Sequence, residues 1–489
     1  MDLLKQLIRV DDSLEQPVYL QITNAFIHHI QQGRLRAGLK LPGSREAAST
    51  LQINRMTMVA AYRELEAQGW IELLPRKGSF VSTSLPQIKP SQIMKGPNQF
   101  TYPVSPGFPF NKNKVVPVPS GDFPSTGKLI FNDGFPDVRL APVEDLAKCM
   151  RRLGRLSSNK KYMMYGGAQG TTVLRETLSD FLCDTRGLSI KPGNILVTRG
   201  AQMGIYIAAS IVLQPGDHMI AGTPGYRGAN LTFQQLKANI HHVPVEDDGI
   251  DVDAIERICK KKTIKMVYVI SHHHNPTTVT LSPDKRLRLL ALAAKYRFAI
   301  LEDDYDYDFH YASKPVMPMA SLDRNGSVIY IGSLTKTIAP SIRFGFMIAP
   351  LNFIDSAVHF RKYLDTQGDS LMENAIAELY KDGTIERHIK KSVRLYRERR
   401  DHLCELLQQE LPQRASFRIP DGGMSVWTSF PGADLIKTSA RALKKGLVIA
   451  DGTKYDIGNM KYNSVRLGFA SLNFSEQERA IAILKDALI

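Results

Sequence analysis

The sequence predicts two folds in one chain: a small winged helix-turn-helix at the N-terminus, and a larger α/β domain whose mainly parallel sheet is flanked by helices. Three observations predict this. Between residues 17 and 82, capped helical patterns are followed by two strand patterns around a basic turn. From Lys128 onward, short apolar runs of strand length alternate with helical patterns. Between these regions Pro90, Pro97, Pro103, Pro106, Pro109, Pro117 and Pro119 interrupt all apolar periodicity, as in a semi-extended linker. The expected divisions are residues 1–85, 86–127 and 128–489.

With 489 residues, 43% hydrophobic and 23% charged, the chain is long enough for two domains and a large core. Cys149, Cys183, Cys259 and Cys404 are widely spaced and form no CxxC pair, which excludes a disulfide or zinc framework and fits reduced thiols in a cytoplasmic protein. Residues 1–16 lack the apolar core of a signal peptide. No later run approaches the ~20 apolar residues of a membrane span, so no membrane partner is expected. The net charge of +15 points to an anionic partner, nucleic acid first, with solubility as the alternative.

The elements follow in order. Pro17 opens a helix in which Ile22, Ala25, Phe26, His29 and Ile30 share a face, and Gly33 stops it. Ser44 is expected to cap a short helix from Arg45 to Leu51, and Asn54 a third from Arg55 to Gln68. Trp70–Leu74 and Ser79–Ser82 read as the strands of a wing around the turn Pro75-Arg76-Lys77-Gly78. The third helix is expected to bury Val59, Tyr62 and Leu65 and to turn Asn54, Arg55 and Thr57 outward. In this motif that helix start meets base edges of double-stranded DNA, with Arg55 the best base-reader, Arg45 on the neighbouring helix, and Lys77 and Gly78 at the wing tip. A protein-binding helical domain is the alternative, disfavoured by the basic tip.

The stretches Leu35...Gly38-Leu39-Lys40-Leu41-Pro42-Gly43-Ser44-Arg45, Asn54-Arg55-Met56-Thr57-Met58-Val59, Ala67-Gln68-Gly69-Trp70-Ile71 and Lys77-Gly78-Ser79-Phe80-Val81 resemble the GntR family of bacterial repressors over about residues 17–82. The resemblance implies DNA contacts at Arg45, Asn54, Arg55, Thr57, Lys77 and Gly78. Met56 departs from the small or polar residue usual in relatives.

In the large region, strands are expected at Asn194–Val197, His218–Ala221, Met266–Ile270, Phe298–Leu301, Val328–Ile331 and Phe344–Ala349. Ligands of such sheets sit beyond the strand C-termini. The first five runs lead into Thr198-Arg199-Gly200-Ala201-Gln202 at a helix start, Pro224-Gly225-Tyr226, Asn275-Pro276, Glu302-Asp303-Asp304-Tyr305, and Lys336. Alone, Lys336 reads as a surface lysine, Asn-Pro as a turn and the acidic run as a solvated face. Together they provide an amine for an imine, a carboxylate for a protonated ring nitrogen, donors for a phenolate, an aromatic ring to stack, and an anion cradle. Pyridoxal 5'-phosphate (PLP) has all five needs.

Residues 131–488 resemble fold type I aminotransferases of the aspartate aminotransferase class. The resemblance implies that Lys336 forms the internal aldimine and Asp303 pairs with the pyridine nitrogen. It places Tyr305 and Asn275 at the phenolic oxygen and Tyr226 on the ring, with Ala201, Gln202, Ser333 and Arg343 at the phosphate. Within Ser464-Val465-Arg466-Leu467-Gly468-Phe469, Arg466 matches the arginine that grips a substrate α-carboxylate. Tyr165 matches a tyrosine that reaches the partner subunit's phosphate, which implies a homodimer. Thr278 stands where relatives carry glycine. His272, His273 and His274 are adjacent on an extended segment and point alternately, so no metal site is expected. Arg227 fits a second anionic group of an effector or a surface role equally.

A GntR-type unit fused to an aminotransferase-like body is the arrangement of the MocR subfamily of transcriptional regulators, typically head-to-tail, domain-swapped dimers. The resemblance implies a PLP-dependent DNA-binding regulator that senses PLP or an amine or amino-acid ligand, with at most slow half-transamination. The alternative is an active aminotransferase with an accessory DNA-binding domain. Basic residues outside the first unit, such as Arg151, Arg155, Lys390 and Arg394, fit either further DNA contact or solvated helix faces.

Overall fold

The computed structural model describes residues 2–11, 13–14, 16–84, 105–109, 114–117, 128–312, 316–456 and 460–488. They fall into two compact units, Met1–Phe110 and Asn111–Ile489.

The first unit contains α1 (Asp2–Leu7), α2 (Val18–Gln31), β1 (Lys40–Leu41), α3 (Ser44–Leu51), α4 (Arg55–Ala67), β2 (Ile71–Leu74) and β3 (Gly78–Val81). Pro17 sits just before α2, where its missing N–H costs nothing. Its helix buries Ile22, Phe26 and His29. The ring of Phe26 meets Tyr62 of α4 edge-on at 5.8 Å, joining the two helices. The Asn54 side chain accepts the Met56 N–H at 2.7 Å and so caps α4.

Three details differ from expectation. Gly43, not Ser44, precedes α3, and no side chain caps that helix; Ser44 is its first residue. On α4 the buried face is Met58, Ala61, Tyr62 and Leu65, a set linked throughout by spacings of three and four; Val59 is half-buried, because it lies three from Tyr62 but two from Ala61 and six from Leu65. The wing also has a third strand: β3 pairs antiparallel with both β2 and the short β1. Arg76 and Gly78, at φ +63° and +108°, make the wing turn.

The second unit opens with β4 (Leu129–Ile130), α5 (Val143–Arg155) and α6 (Thr172–Arg186). Next come β5 (Ile195–Thr198), α7 (Ala201–Val212), β6 (His218–Thr223), α8 (Arg227–Gln235), β7 (Asn239–Glu246), β8 (Gly249–Ile250) and α9 (Val252–Cys259). Then follow β9 (Ile264–Val269), α10 (Pro283–Tyr296), β10 (Ala299–Asp304), α11 (Met319–Leu322), β11 (Val328–Ser333) and β12 (Gly345–Ile348). The chain ends with α12 (Leu351–Asp365), α13 (Ser370–Lys381), α14 (Thr384–Glu410), β13 (Ser416–Phe417), β14 (Ser425–Ser429), α15 (Leu435–Lys444), β15 (Leu447–Val448), β16 (Ser464–Gly468) and α16 (Phe474–Ala487).

Among the described residues, the main sheet has eight strands in the order β5-β12-β11-β10-β9-β6-β7-β8. Strands β11, β10, β9, β6 and β7 run parallel, and β12 runs antiparallel to both of its neighbours, β11 and β5. Alternate strand residues feed two apolar layers. Val197, Ile220, Val267 and Ile300 pack with α6, α10 and α13, and Leu196, Met219, Met266 and Leu301 pack with α7, α8 and α12. Both faces being covered is what near-continuous apolar strands require. A second core joins α14 and α16 to the sheet β13-β14-β16.

Of the expected linker, residues 86–104, 110–113 and 118–127 lie outside the described residues. Residues 114–117 lie on α8, where the Val116 N–H donates to Gln235 Oε1 at 2.8 Å. All four cysteines are free thiols, with Cys149, Cys259 and Cys404 buried and Cys183 half-buried. Among the described residues, no helix is long and apolar enough to cross a membrane.

Candidate functional site

Parallel alignment brings the C-terminal ends of β5, β6, β9, β10 and β11 to one edge, and the antiparallel β12 starts there. Lys336 follows β11 in the turn that Leu334 opens. Its half-buried amine donates to the carbonyl oxygen of Gly134 and lies 4.6 Å from the Phe135 ring and 5.8 Å from that of Tyr305. Burial, then the nearby Arg466 guanidinium, push the Lys336 pKa down to about 8, against the pull of Asp306 and Asp133.

Asp303, near the end of β10, is buried. Its Oδ2 accepts the Tyr268 hydroxyl at 2.7 Å, and its Oδ1 has no partner among the described residues. Burial pushes its pKa up to about 7; the Tyr268 hydrogen bond opposes this, and Asp304 and Asp306 add to it. Tyr305, two residues further along the chain, donates its hydroxyl to the His273 carbonyl oxygen at 2.9 Å.

Arg466, on β16, is buried. Its Nε donates to the Asp133 carbonyl oxygen at 3.1 Å, and its Nη2 lies 3.5 Å from the Tyr305 hydroxyl. Lys336 and Arg466 thus hold the carbonyl groups of consecutive residues, Gly134 and Asp133. The segment is set by Asn132, whose Oδ1 accepts the N–H groups of Gly134 and Phe135 at 2.9 and 2.7 Å. Gly134 adopts φ +92°, and a Cβ there would lie 3.2 Å from Arg466 Nη2. Against burial, Lys454 and Arg466 hold the Asp133 carboxyl below its ordinary range.

At the start of α7, Gly200 adopts φ +80°, and Ala201 and Gln202 occupy the first turn, where backbone N–H groups have no partner within the helix. The Gln202 side chain is engaged internally, donating to Thr232 Oγ1 at 2.7 Å. The Arg343 guanidinium lies against Gly200, since a Cβ there would meet Arg343 Nη2 at 2.7 Å. Ser333 ends β11 and accepts the Thr335 N–H at 3.1 Å. Tyr226, just before α8, lies 3.4 Å through its hydroxyl from Gln202 Oε1, and burial, with Asp303 adding, raises its pKa to about 12.

Asn275 is half-buried in the turn after β9. Thr278 holds the left-handed φ of +63° that glycine adopts freely, so the turn persists without the glycine. The three histidines diverge: His272 Nδ1 meets Asp304 Oδ1 at 3.2 Å, His273 Nδ1 meets Asp306 Oδ1 at 3.0 Å, and His274 Nδ1 meets Thr277 Oγ1 at 2.9 Å. Arg227 is exposed at the start of α8. Tyr165 stands apart from these residues, 88% exposed beside the exposed Met163 and Met164.

In the first unit, Arg45 is exposed in the first turn of α3, Asn54 and Arg55 are exposed at the start of α4, and Thr57 is half-buried. Lys77 and Gly78 are exposed at the wing tip. Sequence reasoning missed Asp133, Gly134 and Phe135, signalled only by an Asn-Asp-Gly turn, and Tyr268, the one hydroxyl-bearing residue in an apolar strand.

The comparisons agree with this fold. Residues 127–484 match the family "Aminotransferase class I and II", and residues 18–81 match "Bacterial regulatory proteins, gntR family". YdfD of Bacillus subtilis, named an uncharacterized HTH-type transcriptional regulator, is 27% identical over 95% of this chain and 95% of its own length. The probable rhizopine catabolism regulatory protein MocR of Rhizobium meliloti is 25% identical over 98% of this chain and 95% of its own. Among solved structures, Pyrococcus horikoshii kynurenine aminotransferase in complex with PMP superposes with a TM-score of 0.69 at 28% identity, over 74% of this chain and 91% of that one. The chain therefore belongs to the aminotransferase class I and II family over its large unit and carries a gntR-family unit before it, the architecture of MocR-type transcriptional regulators.

Proposed function

We propose that this transcriptional regulator holds PLP in its large unit and answers to PLP itself, or to an amine or amino acid that exchanges with it, by changing how its gntR-family unit engages double-stranded DNA. Bound there, PLP supplies an aldehyde that condenses with primary amines and a pyridinium ring that withdraws electrons. The observation that carries the reading is Asp303: a buried carboxylate oxygen without a partner is costly unless a ligand supplies a donor, and a protonated ring nitrogen is such a donor.

The other residues fit the same molecule. Lys336, its pKa lowered to about 8, is the amine that takes the aldehyde. The N–H groups at Ala201 and Gln202, which lack partners within the helix, the Ser333 hydroxyl and Arg343 receive the phosphate. Tyr226 covers the ring, and Asn275 and Tyr305 serve the phenolic oxygen. Arg466 grips the carboxylate of an amino-acid effector with a planar donor pair. The exposed Tyr165 supports a homodimer in which it reaches the partner subunit's phosphate. Arg45, Asn54, Arg55, Thr57, Lys77 and Gly78 form the DNA-facing set.

The test is a gel shift on the DNA upstream of the gene, with and without PLP and candidate amines. PLP should change the binding of the unsubstituted protein, and Lys336→Ala should bind DNA but lose the response. A protein that binds DNA identically in both conditions and shows no borohydride-trapped adduct overturns the reading. The lowered pKa of Lys336 also favours a second reading, a working aminotransferase. Fast multiple turnover with an amino donor and a keto acceptor would select it.

A further inference from the structure

The carboxylate of Asp303 is itself held by a residue outside the expected cofactor set. Tyr268 lies on β9 opposite Leu301 of β10, so its side chain shares a face of the parallel sheet with Asp303, two residues further on. Both side chains are buried, and the Tyr268 hydroxyl is 2.7 Å from Asp303 Oδ2. The ring cannot swing away, because Phe233 of α8 packs edge-on against it at 5.4 Å and 64°.

We propose that Tyr268 is a positioning residue for the cofactor's ring nitrogen, acting through Asp303: it occupies Oδ2, fixes the carboxylate plane, and leaves Oδ1 open to accept. The inference rests on the PLP reading above. A tyrosine is suited to the task. Burial and Asp303 raise the Tyr268 pKa well above its ordinary value, so it keeps its proton and remains a donor. Its hydrogen bond favours the ionised form of a carboxyl that burial pushes toward neutrality. Without it, Asp303 is free to take a proton, rotate and present an O–H to the ring nitrogen, where an acceptor for a pyridinium N–H is required. The second carboxylate on this strand end cannot substitute, because Asp304 is turned to the other face, toward His272 and the Tyr330 hydroxyl.

The test uses the full chain with Tyr268→Phe, which removes one oxygen and keeps the ring. PLP affinity is read by absorbance titration, and PLP labelled with nitrogen-15 in the ring reports the protonation of that nitrogen by NMR. Tyr268→Phe should bind PLP about tenfold or more weakly, the scale of a lost hydrogen bond to a charged group. Its nitrogen resonance should move toward that of the unprotonated ring. An unchanged affinity together with an unchanged resonance overturns the proposal. Asp303→Asn and the double variant complete the cycle. Once Asp303→Asn has removed the carboxylate, nothing remains to hold ionised, so adding Tyr268→Phe should cost no further affinity, and an additional loss would show a hydroxyl with a merely structural role and overturn the proposal. The double variant buries no unpaired carboxylate, so this comparison stands even if the single variant does not fold. If the unsubstituted protein gives no PLP absorption band, the cofactor reading itself fails, an outcome distinct from all of these.

Discussion

Gly345 and Gly200 meet backbone to backbone: a Cβ on Gly345 would lie 2.7 Å from the carbonyl carbon of Gly200 and 3.0 Å from the amide nitrogen of Ala201. No flexible side chain can yield there. Gly345→Ala should therefore push the first strand residue of β12 away from the start of α7. The expected cost is about 1–3 kcal/mol of stability, as in other overpacked sites, together with weaker PLP binding. Thermal melts and a PLP titration check both; wild-type affinity would show that the close approach does not shape the phosphate site.

Lys336 is held charged at neutral pH against burial and Arg466. Its folded pKa is depressed from 10.5 to about 8, so the penalty is full below pH 8 and fades as pH rises toward 10.5. Lys336→Met should raise the stability of the cofactor-free protein at pH 7 by on the order of 1–2 kcal/mol, and the gap should close above pH 8. Denaturation curves at pH 7 and 9.5 measure it.

On the proposed reading, the same depression should set the rate at which PLP is captured. Only the neutral amine attacks an aldehyde, so capture should quicken with rising pH and level off above about 8. Stopped-flow absorbance between pH 6.5 and 9 reads this directly. A midpoint near 10 would mean that Arg466 and burial do not act on Lys336.

Asn54 has two tasks that separate by substitution. It caps α4, and it is exposed at the helix start proposed to face DNA. Asn54→Asp should keep the cap and the melting temperature yet weaken DNA binding through phosphate repulsion, whereas Asn54→Ala should cost about 1 kcal/mol of stability. Arg55→Ala should leave stability alone and cost about 1–3 kcal/mol of specific binding. Fluorescence anisotropy with specific and scrambled duplexes distinguishes the two.

Arg466→Lys keeps a cation but loses the fork. The response to an amino-acid effector should need about tenfold or more ligand, while the response to PLP alone should change less. Equal loss of both would place Arg466 in the fold rather than in effector recognition.

Much of this was legible in the sequence because it is local. Asn54 caps by a bond two residues away, and the apolar runs at Met266 and Val328 form strands buried on both faces. What escaped is non-local. Gly134 reaches Lys336 across 202 residues, and nothing in the turn around it signals that destination. Tyr268 looked like one more apolar strand residue, because its hydroxyl has meaning only once β9 lies beside β10. Helix phase misled in a smaller way at Val59, one residue from the buried Met58.

The reversed direction of β12 has one more consequence. Because it returns against β11, the single connection of residues 334–344 carries both Lys336 and Arg343, the amine and the cation beside Gly200. On the proposed PLP reading, the length of that connection sets the separation between the amine that takes the aldehyde and the guanidinium that meets the phosphate. A one-residue insertion between Lys336 and Arg343 should therefore weaken PLP binding, and pyridoxal without its phosphate should bind less tightly than PLP; absorbance titrations check both.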